Sequence, residues 1–270
     1  MQITCVFNNS VIGSTKQGNP AIRAGASLDP YTTVKLIFTN DSKVSAIGGN
    51  GGNAFIRNDN NGIDATTTSA TSGGDVYQSD GIATEIYLNY GTVDTYVTDC
   101  YMYAPGGGGA SAAIASRARD GNASATAAAA ASGGGGSGIP GGIAGVTTKA
   151  SGSEGNIVNG KNGTFNAGGP LALATHSGYG TVYNPQGPDD TASLSVSSIS
   201  GAGGFSLTGL AATASTNVSS GSLTTEEKSL GATGQAGGAI KGANVTVYNL
   251  SASSSRFRDG NSDPYTLVSA

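Results

Sequence analysis

Charge is what this chain has least of. Only 11% of its 270 residues are Asp, Glu, Lys or Arg, against about 25% in an ordinary soluble protein. With 13 basic and 17 acidic residues there is no positive excess to neutralise a phosphate backbone, which argues against a nucleic-acid partner. Scarce charge can accompany disorder, but disordered chains usually carry high net charge and lack β-branched runs. Here the formal net charge is -4 and such runs are present, so an ordered protein is expected.

Reactive side chains are equally sparse: one histidine, two cysteines and no tryptophan. A Ser-His-Asp site would have to use His176, which lies in LATHSGYGTVY without a nucleophile-elbow motif. One histidine and two distant cysteines cannot furnish four local zinc ligands. Cys5 and Cys100 are too few for a disulfide framework, and one bridge or two free thiols are equally open. Asp94, Asp99, Asp189 and Asp190 are the acids to inspect for paired-carboxylate glycoside hydrolysis. Asp99 lies in a strand-like stretch, however, and Asp189-Asp190 follows Pro188, so they read as ladder or turn acids. The run Asn58-Asp59-Asn60-Asn61-Gly62 lacks the ordered alternation and closing glutamate of a calcium loop. The glycine clusters lack the Gly-Lys-Ser/Thr ending of a phosphate loop. No enzyme activity, metal or cofactor is expected.

Long apolar runs are missing as well. No stretch approaches the eighteen or so residues that cross a bilayer as a helix. The start, MQITCVFNNS, has no signal-peptide pattern. The expectation is a protein made in the cytoplasm, without membrane insertion, that reaches a surface by assembly and lysis.

Helical periodicity is nearly absent. The longest candidate, Ala110 to Ala131, has alanine for propensity but no apolar stripe and is interrupted by Gly121, so it reads as a loop or a weakly helical excursion. Strand signals are clear: TVKLIFTNDSKVSAI (33–47), TEIYLNYGTVDTYVTDCYMY (84–103) and NVTVYNLSASSSRFR (244–258) are β-branched and aromatic stretches bounded by turn residues. The first reads as two strands around Asn40-Asp41-Ser42, a hairpin or a solenoid corner, and the second as two strands around Gly91. Two echoes, Asp29-Pro30-Tyr31-Thr32 with Asp263-Pro264-Tyr265-Thr266, and Arg119-Asp120-Gly121-Asn122 with Arg258-Asp259-Gly260-Asn261, suggest an internal repeat.

What the chain has in abundance is glycine, 45 residues, gathered in clusters such as IGGNGG, APGGGGA, GIPGGIAG and GATGQAGG. Many stand three apart, as in Gly231, Gly234 and Gly237. Three is the period of polyproline II, a helix without internal hydrogen bonds, and glycine at one edge of each turn lets neighbouring backbones approach and bond to one another. Flexible Gly/Ser linkers are the alternative. The fold class is therefore mainly β, with sandwich-like or solenoid-like strand units and a glycine-rich distal region that can form packed polyproline II strands. Residues 1–103 make a β-rich proximal part, 104–238 a glycine-rich distal part with binding loops, and 239–270 a C-terminal β segment.

Eleven tyrosines among Ser, Gly and Asn give a composition favoured in binding loops. The loops between glycine tracts, 111–122 and 161–183, carry the candidate contact residues Arg117, Arg119, Lys161, Phe165, His176, Tyr179 and Tyr183.

The succession Gly18-Asn19-Pro20-Ala21-Ile22-Arg23-Ala24-Gly25, the strand unit running into IGGNGG and the second unit running into APGGGGASA resemble the glycine-rich C-terminal domains of central tail fibre and tail-tip proteins of long-tailed bacteriophages. The later GIPGG and GATGQAGG clusters are similar to those of the adhesins that cap long tail fibres of T-even-like phages. The resemblance implies a receptor-binding protein of the virion tail, recognising a bacterial outer-membrane protein or surface glycan, joined to other tail proteins and assembled as a homotrimer. It supplies no catalytic residues. The rival readings are a structural fibre, capsid-decorating or matrix subunit without receptor specificity, and a glycan-degrading β-solenoid tailspike.

Overall fold

The computed structural model describes residues 1–59, 62–89, 100–185, 187–250 and 256–269. The turn at Gly91, the acids Asp94 and Asp99, and Asn60-Asn61 of the calcium-like run lie outside the described residues. Within them the protein is mainly β and contains no α-helix. In chain order the strands are β1 (Gln2–Asn8), β2 (Val11–Ile12), β3 (Ile22–Ala24), β4 (Thr33–Thr39), β5 (Lys43–Val44), β6 (Ala54–Asp59) and β7 (Gly62–Thr67). There follow β8 (Tyr77–Ser79), β9 (Ala83–Leu88), β10 (Tyr101–Tyr103), β11 (Ala112–Asp120), β12 (Ala123–Ala131), β13 (Thr147–Lys149), β14 (Asn156–Val158) and β15 (Leu173–Val182). The last are β16 (Asp190–Ile199), β17 (Thr213–Ser220), β18 (Ser222–Leu230), β19 (Ile240–Lys241), β20 (Val245–Asn249), β21 (Phe257–Arg258) and β22 (Thr266–Ser269).

One end of the molecule is built from parallel sheets, in the orders β1-β4-β9-β20-β22, β2-β5-β10-β21 and β19-β8-β3. Alternation in β4 and β9 buries Val34, Leu36, Phe38, Ile86 and Leu88, which meet Val44 and Met102 of the second sheet, Tyr77 and Ile240 of the third, and Val76 just before β8 in one core. The stretch 33–47 is therefore not a hairpin, because β4 pairs with β1 and β9 while β5 pairs with β2 and β10. The chain turns a corner between sheets at Asn40, and at Asn9 and Asn89 in the neighbouring layers. All three asparagines are left-handed, with φ of 53°, 48° and 64°, a conformation asparagine tolerates better than most residues. The Asp-Pro-Tyr-Thr echo marks the lead-ins to β4 and β22, which share the five-stranded sheet. The Arg-Asp-Gly-Asn echo shares only a left-handed glycine, Gly121 and Gly260. Cys5 and Cys100 are both free thiols, and burial pushes the Cys100 thiol up.

The glycine tracts are ordered by backbone hydrogen bonds, so the linker alternative does not describe them. Gly48, Gly51 and Ala54 donate to the carbonyls of Pro140, Ile143 and Val146 at 3.0, 2.9 and 3.1 Å. Donor and acceptor both advance by three residues. Consecutive residues of one tract serve different neighbours: Gly133 and Gly136 donate to Gly52 and Gly49, Gly134 and Ser137 to Gly201 and Gly204, and Gly135 to Lys161. The tracts lie so close that a Cβ at Gly136 would stand 2.0 Å from the carbonyl oxygen of Gly106.

Beyond the tracts the chain forms antiparallel hairpins, and here the structure corrects the sequence. Ala110 to Ala131 is neither loop nor helix but the β11–β12 hairpin, nine residues on each strand. Its two faces are both buried. Ala113, Ala115, Ala128 and Ala130 pack against Ile56 and Ala65 of the β13-β6-β7 sheet. Ala112, Ile114, Ala125, Ala127 and Ala129 pack against Leu194, Val196 and Ala214 of the β15-β16-β17 sheet. A strand covered closely on both sides needs small side chains on both, which removes the apolar-polar alternation that marks a half-exposed strand.

Replacing Gly136 by Ala is expected to destabilise the fold by about 1–3 kcal/mol or more through overpacking against backbone. Gly25→Ala, whose Cβ would meet only Ser27 Oγ at 3.8 Å, should stay within about 0.5 kcal/mol of the parent. Urea unfolding of the two variants checks the contrast, and equal losses would contradict it.

Alkali should loosen the parallel-sheet end. Burial raises the phenols of Tyr77 and Tyr103, and burial with the nearby Asp259 carboxylate pushes Tyr265 up to about 12. The native state thus favours the neutral phenols. Their contribution is complete below the ordinary tyrosine value near 10 and is lost as pH rises through the folded values. Unfolding followed by circular dichroism should accelerate between pH 10 and 12, and Tyr265→Phe should move that transition upward.

Candidate functional site

Several hairpin turns meet at the end opposite the parallel sheets, and they are tied to one another. Asn122 N–H donates to Asp190 Oδ2 at 2.9 Å and Thr191 N–H to Asp120 Oδ2 at 3.3 Å, joining the β11–β12 and β15–β16 tips reciprocally. Asn58 N–H donates to Ser153 Oγ, and Glu154 N–H to Asn58 O, both at 3.0 Å, joining the β6–β7 tip to the loop after β13. The described residues at these tips are thus braced in two pairs.

A cleft opens where the layers end unequally. β11 and β12 run nine residues, but β6 and β7 only six. On the face that looks toward β6 and β7, the positions continue from Ala113 and Ala115 to Arg117 and Arg119, opposite Thr126 and Ser124 on β12. Small buried side chains give way to long polar ones where cover runs out. The resulting cavity, about 760 Å³, is lined by these four residues with Asn58, Asp59, Ser151, Gly152 and Glu154. Register against β18 shifts between Arg117 and Ala118, where Thr224 Oγ1 donates to the Arg117 carbonyl at 3.1 Å. The extra residue, Thr224, lies on β18, the strand that such a bulge bends, while β11 keeps unbroken register with β12.

The charges in the cleft are not equally engaged. Asp59 is paired with Arg57 at 3.1 Å and is largely buried. Arg117 is half-buried and Arg119 exposed, and neither forms an ion pair among the described residues.

The side chains named from the sequence separate into distinct places. Arg117 and Arg119 share the cleft, on a strand rather than on a loop. Tyr179 lies on the exposed face of β15 and Tyr183 just beyond that strand, 73% and 77% exposed. The stretch 161–183 is thus only partly loop, since β15 occupies Leu173–Val182. His176 accepts a hydrogen bond from Ala128 N–H through Nδ1 at 3.3 Å. It docks β15 beside β12, where Gly178 and Gly180 allow backbone contact with Thr126 and Ser124. Lys161 accepts from Gly135 N–H through its carbonyl, within the glycine tracts. Phe165 is at the parallel-sheet end, stacked on Tyr103 with centroids 5.1 Å apart, beside Phe205 and Arg258. Asp189 and Asp190 accept from backbone N–H groups, of Asn184 and Asn122 respectively.

Sequence reasoning missed Asn58, Ser124, Thr126, Ser151 and Glu154. The Asn58-Asp59 run had drawn notice as a metal pattern, and nothing in the sequence joined it to Arg117 across the intervening chain. Comparison with protein-family models, curated proteins and solved structures finds no match for this chain.

Removing the Asp190 carboxylate with Asp190→Ala should cost about 1–2 kcal/mol, in the range of a charge-assisted hydrogen bond. Amide exchange should then rise at Asn122 ahead of the glycine tracts. Unchanged protection at Asn122 would show that the tips are held by other contacts.

Proposed function

We propose that the chain is a non-catalytic receptor-binding adhesin of a phage tail tip, carried on the virion and assembled as a homotrimer with other tail proteins. In this reading the glycine tracts are packed polyproline II strands, bonded to one another every third residue. They hold the hairpin tips away from the parallel sheets, which face the rest of the tail. The observation that carries the proposal is the polar cleft at the interlocked tips, with two arginines lacking ion pairs and exposed Tyr179 and Tyr183 on neighbouring strand and turn. Rigid scaffolds presenting variable tips are where binding residues concentrate, and Tyr and Arg are enriched among residues that dominate binding energy.

The purified chain should attach to susceptible bacteria and compete with the parent phage for adsorption. Tyr183→Ala combined with Arg119→Ala should weaken attachment roughly tenfold or more, about 1.4 kcal/mol or above, with folding retained. Phe165→Ala should lower thermal stability instead, because it removes the stacking on Tyr103. Attachment unaffected by changes at the tips but abolished by changes at Val6 or Val268 would move the adhesive surface to the parallel-sheet end.

A further inference from the structure

We infer that the cleft between the β6–β7 and β11–β12 hairpins is a subsite for an acidic saccharide, a glycan unit bearing a carboxylate or phosphate. Arg117 and Arg119 bind the anion, and Asn58, Ser124 and Thr126 meet the hydroxyls. The inference rests on the adhesin reading and names the ligand class of its site.

The arginines set the charge of the ligand. They leave the same face of β11 two positions apart, roughly 7 Å along a strand, so their side chains can converge on one anionic group. Neither has a carboxylate within ion-pair distance among the described residues. Asp59, the acid deepest in the cleft wall, is already held by Arg57. Partial burial of a guanidinium without a counter-charge is unfavourable, and an incoming carboxylate or phosphate supplies one in the geometry arginine binds best. The arginines' unbroken register with Thr126 and Ser124 of β12 places that pair along the cleft wall.

The lining sets the rest of the chemistry. Besides the charged groups it consists of Asn58, Ser124, Thr126, Ser151 and Gly152, and among the described residues no aliphatic or aromatic side chain contributes to it. A peptide segment or protein loop brings apolar side chains that would find no complementary surface there. A saccharide brings hydroxyls, which the amide and hydroxyl side chains can match as either donors or acceptors. Glu154 at the rim and the chain's net charge of -4 oppose densely charged polyanions. The favoured ligand is a sparsely charged glycan, not a nucleic acid. A cavity of about 760 Å³ lies within the range of small-molecule sites, roughly 300–1,000 Å³.

The test titrates the intact purified chain, by calorimetry, with a phosphorylated lipopolysaccharide core oligosaccharide, its dephosphorylated form, an oligogalacturonate and a neutral malto-oligosaccharide. Binding is expected for at least one acidic probe and not for the neutral one, and it should weaken as salt is raised. Comparison of the phosphorylated core with the oligogalacturonate tells phosphate from carboxylate. R117Q/R119Q should weaken the acidic probe roughly tenfold or more. S124W, which fills the cleft from its exposed rim opposite Arg119 while leaving both arginines in the sequence, should do the same if the double variant folds poorly. No binding by either acidic probe, or equal binding by parent and both variants, overturns the subsite. So does loss, in R117Q/R119Q, of binding to a glycan-free outer-membrane protein that no acidic saccharide displaces, since the site would then read protein. The two readings fail separately. Cell attachment that survives both variants overturns the subsite and leaves the adhesin standing, whereas acidic-saccharide binding without attachment to any host does the reverse.

Discussion

The backbone hydrogen bond that recurs every third residue between glycine tracts is the interaction on which the rest depends. In a sheet, a strand bonds to neighbours on two sides. Here successive residues of 133–137 donate to three different neighbours, so each tract is held from several directions without side chains of its own. Contact this close admits no Cβ at most of the bonded positions. At Gly106, Gly107, Gly108 and Gly109 it would lie 1.9 to 2.1 Å from another residue's carbonyl oxygen. A single such bond adds about 0.5–1.5 kcal/mol net, and ordering a glycine costs more backbone entropy than ordering any other residue. The tracts are therefore stable only as a set, in which each bond is made at no further ordering cost once its neighbours are fixed.

That constraint reaches into both ends of the molecule. Parallel strands cannot be joined by tight turns and need long crossovers. The glycine tracts and their hairpins supply them, returning the chain from β5 to β8 and from β10 to β19. At the other end the tract spacing is passed on to the hairpins that grow out of it. β11 and β12 leave the tracts already close to the layers on either side, and alanine is the largest residue that repeats on both faces of most of their length. Glycine in the tracts and alanine in the hairpin are two responses to the same short distance.

This explains which parts of the architecture were legible in the sequence. The described strands within 33–47, 84–103 and 244–258 showed themselves because they have one buried and one partly exposed face, and the glycine tracts because period three is visible without a partner. The hairpin at 112–131 was hidden. Alternation disappears when both faces are buried, and alanine, read by intrinsic propensity alone, favours helix. The corner at Asn40 could be seen but not its sense, since hairpin and corner use the same turn residues. Arg117 and Arg119 stood out as rare charges, whereas the stacking of Phe165 on Tyr103 and the docking of His176 against Ala128 are long-range facts that no stretch of sequence displays.

The same logic limits where binding chemistry can sit. On the face toward β6 and β7 the covered side chains of β11 and β12 are alanines, and that cover ends after Ala115 on one strand and before Ala128 on the other. Only from Arg117 through Thr126 can the face toward β6 and β7 carry long or polar groups, and that interval is the cleft. The β15–β16 tip that braces it bonds through Asp190 to backbone at Asn122, and Asp120 bonds back to the backbone of Thr191. The brace thus requires two aspartates and little of the residues between them. A scaffold held by backbone therefore leaves a short, sharply bounded set of positions free to vary, while changes outside that set meet the close contacts that hold the fold.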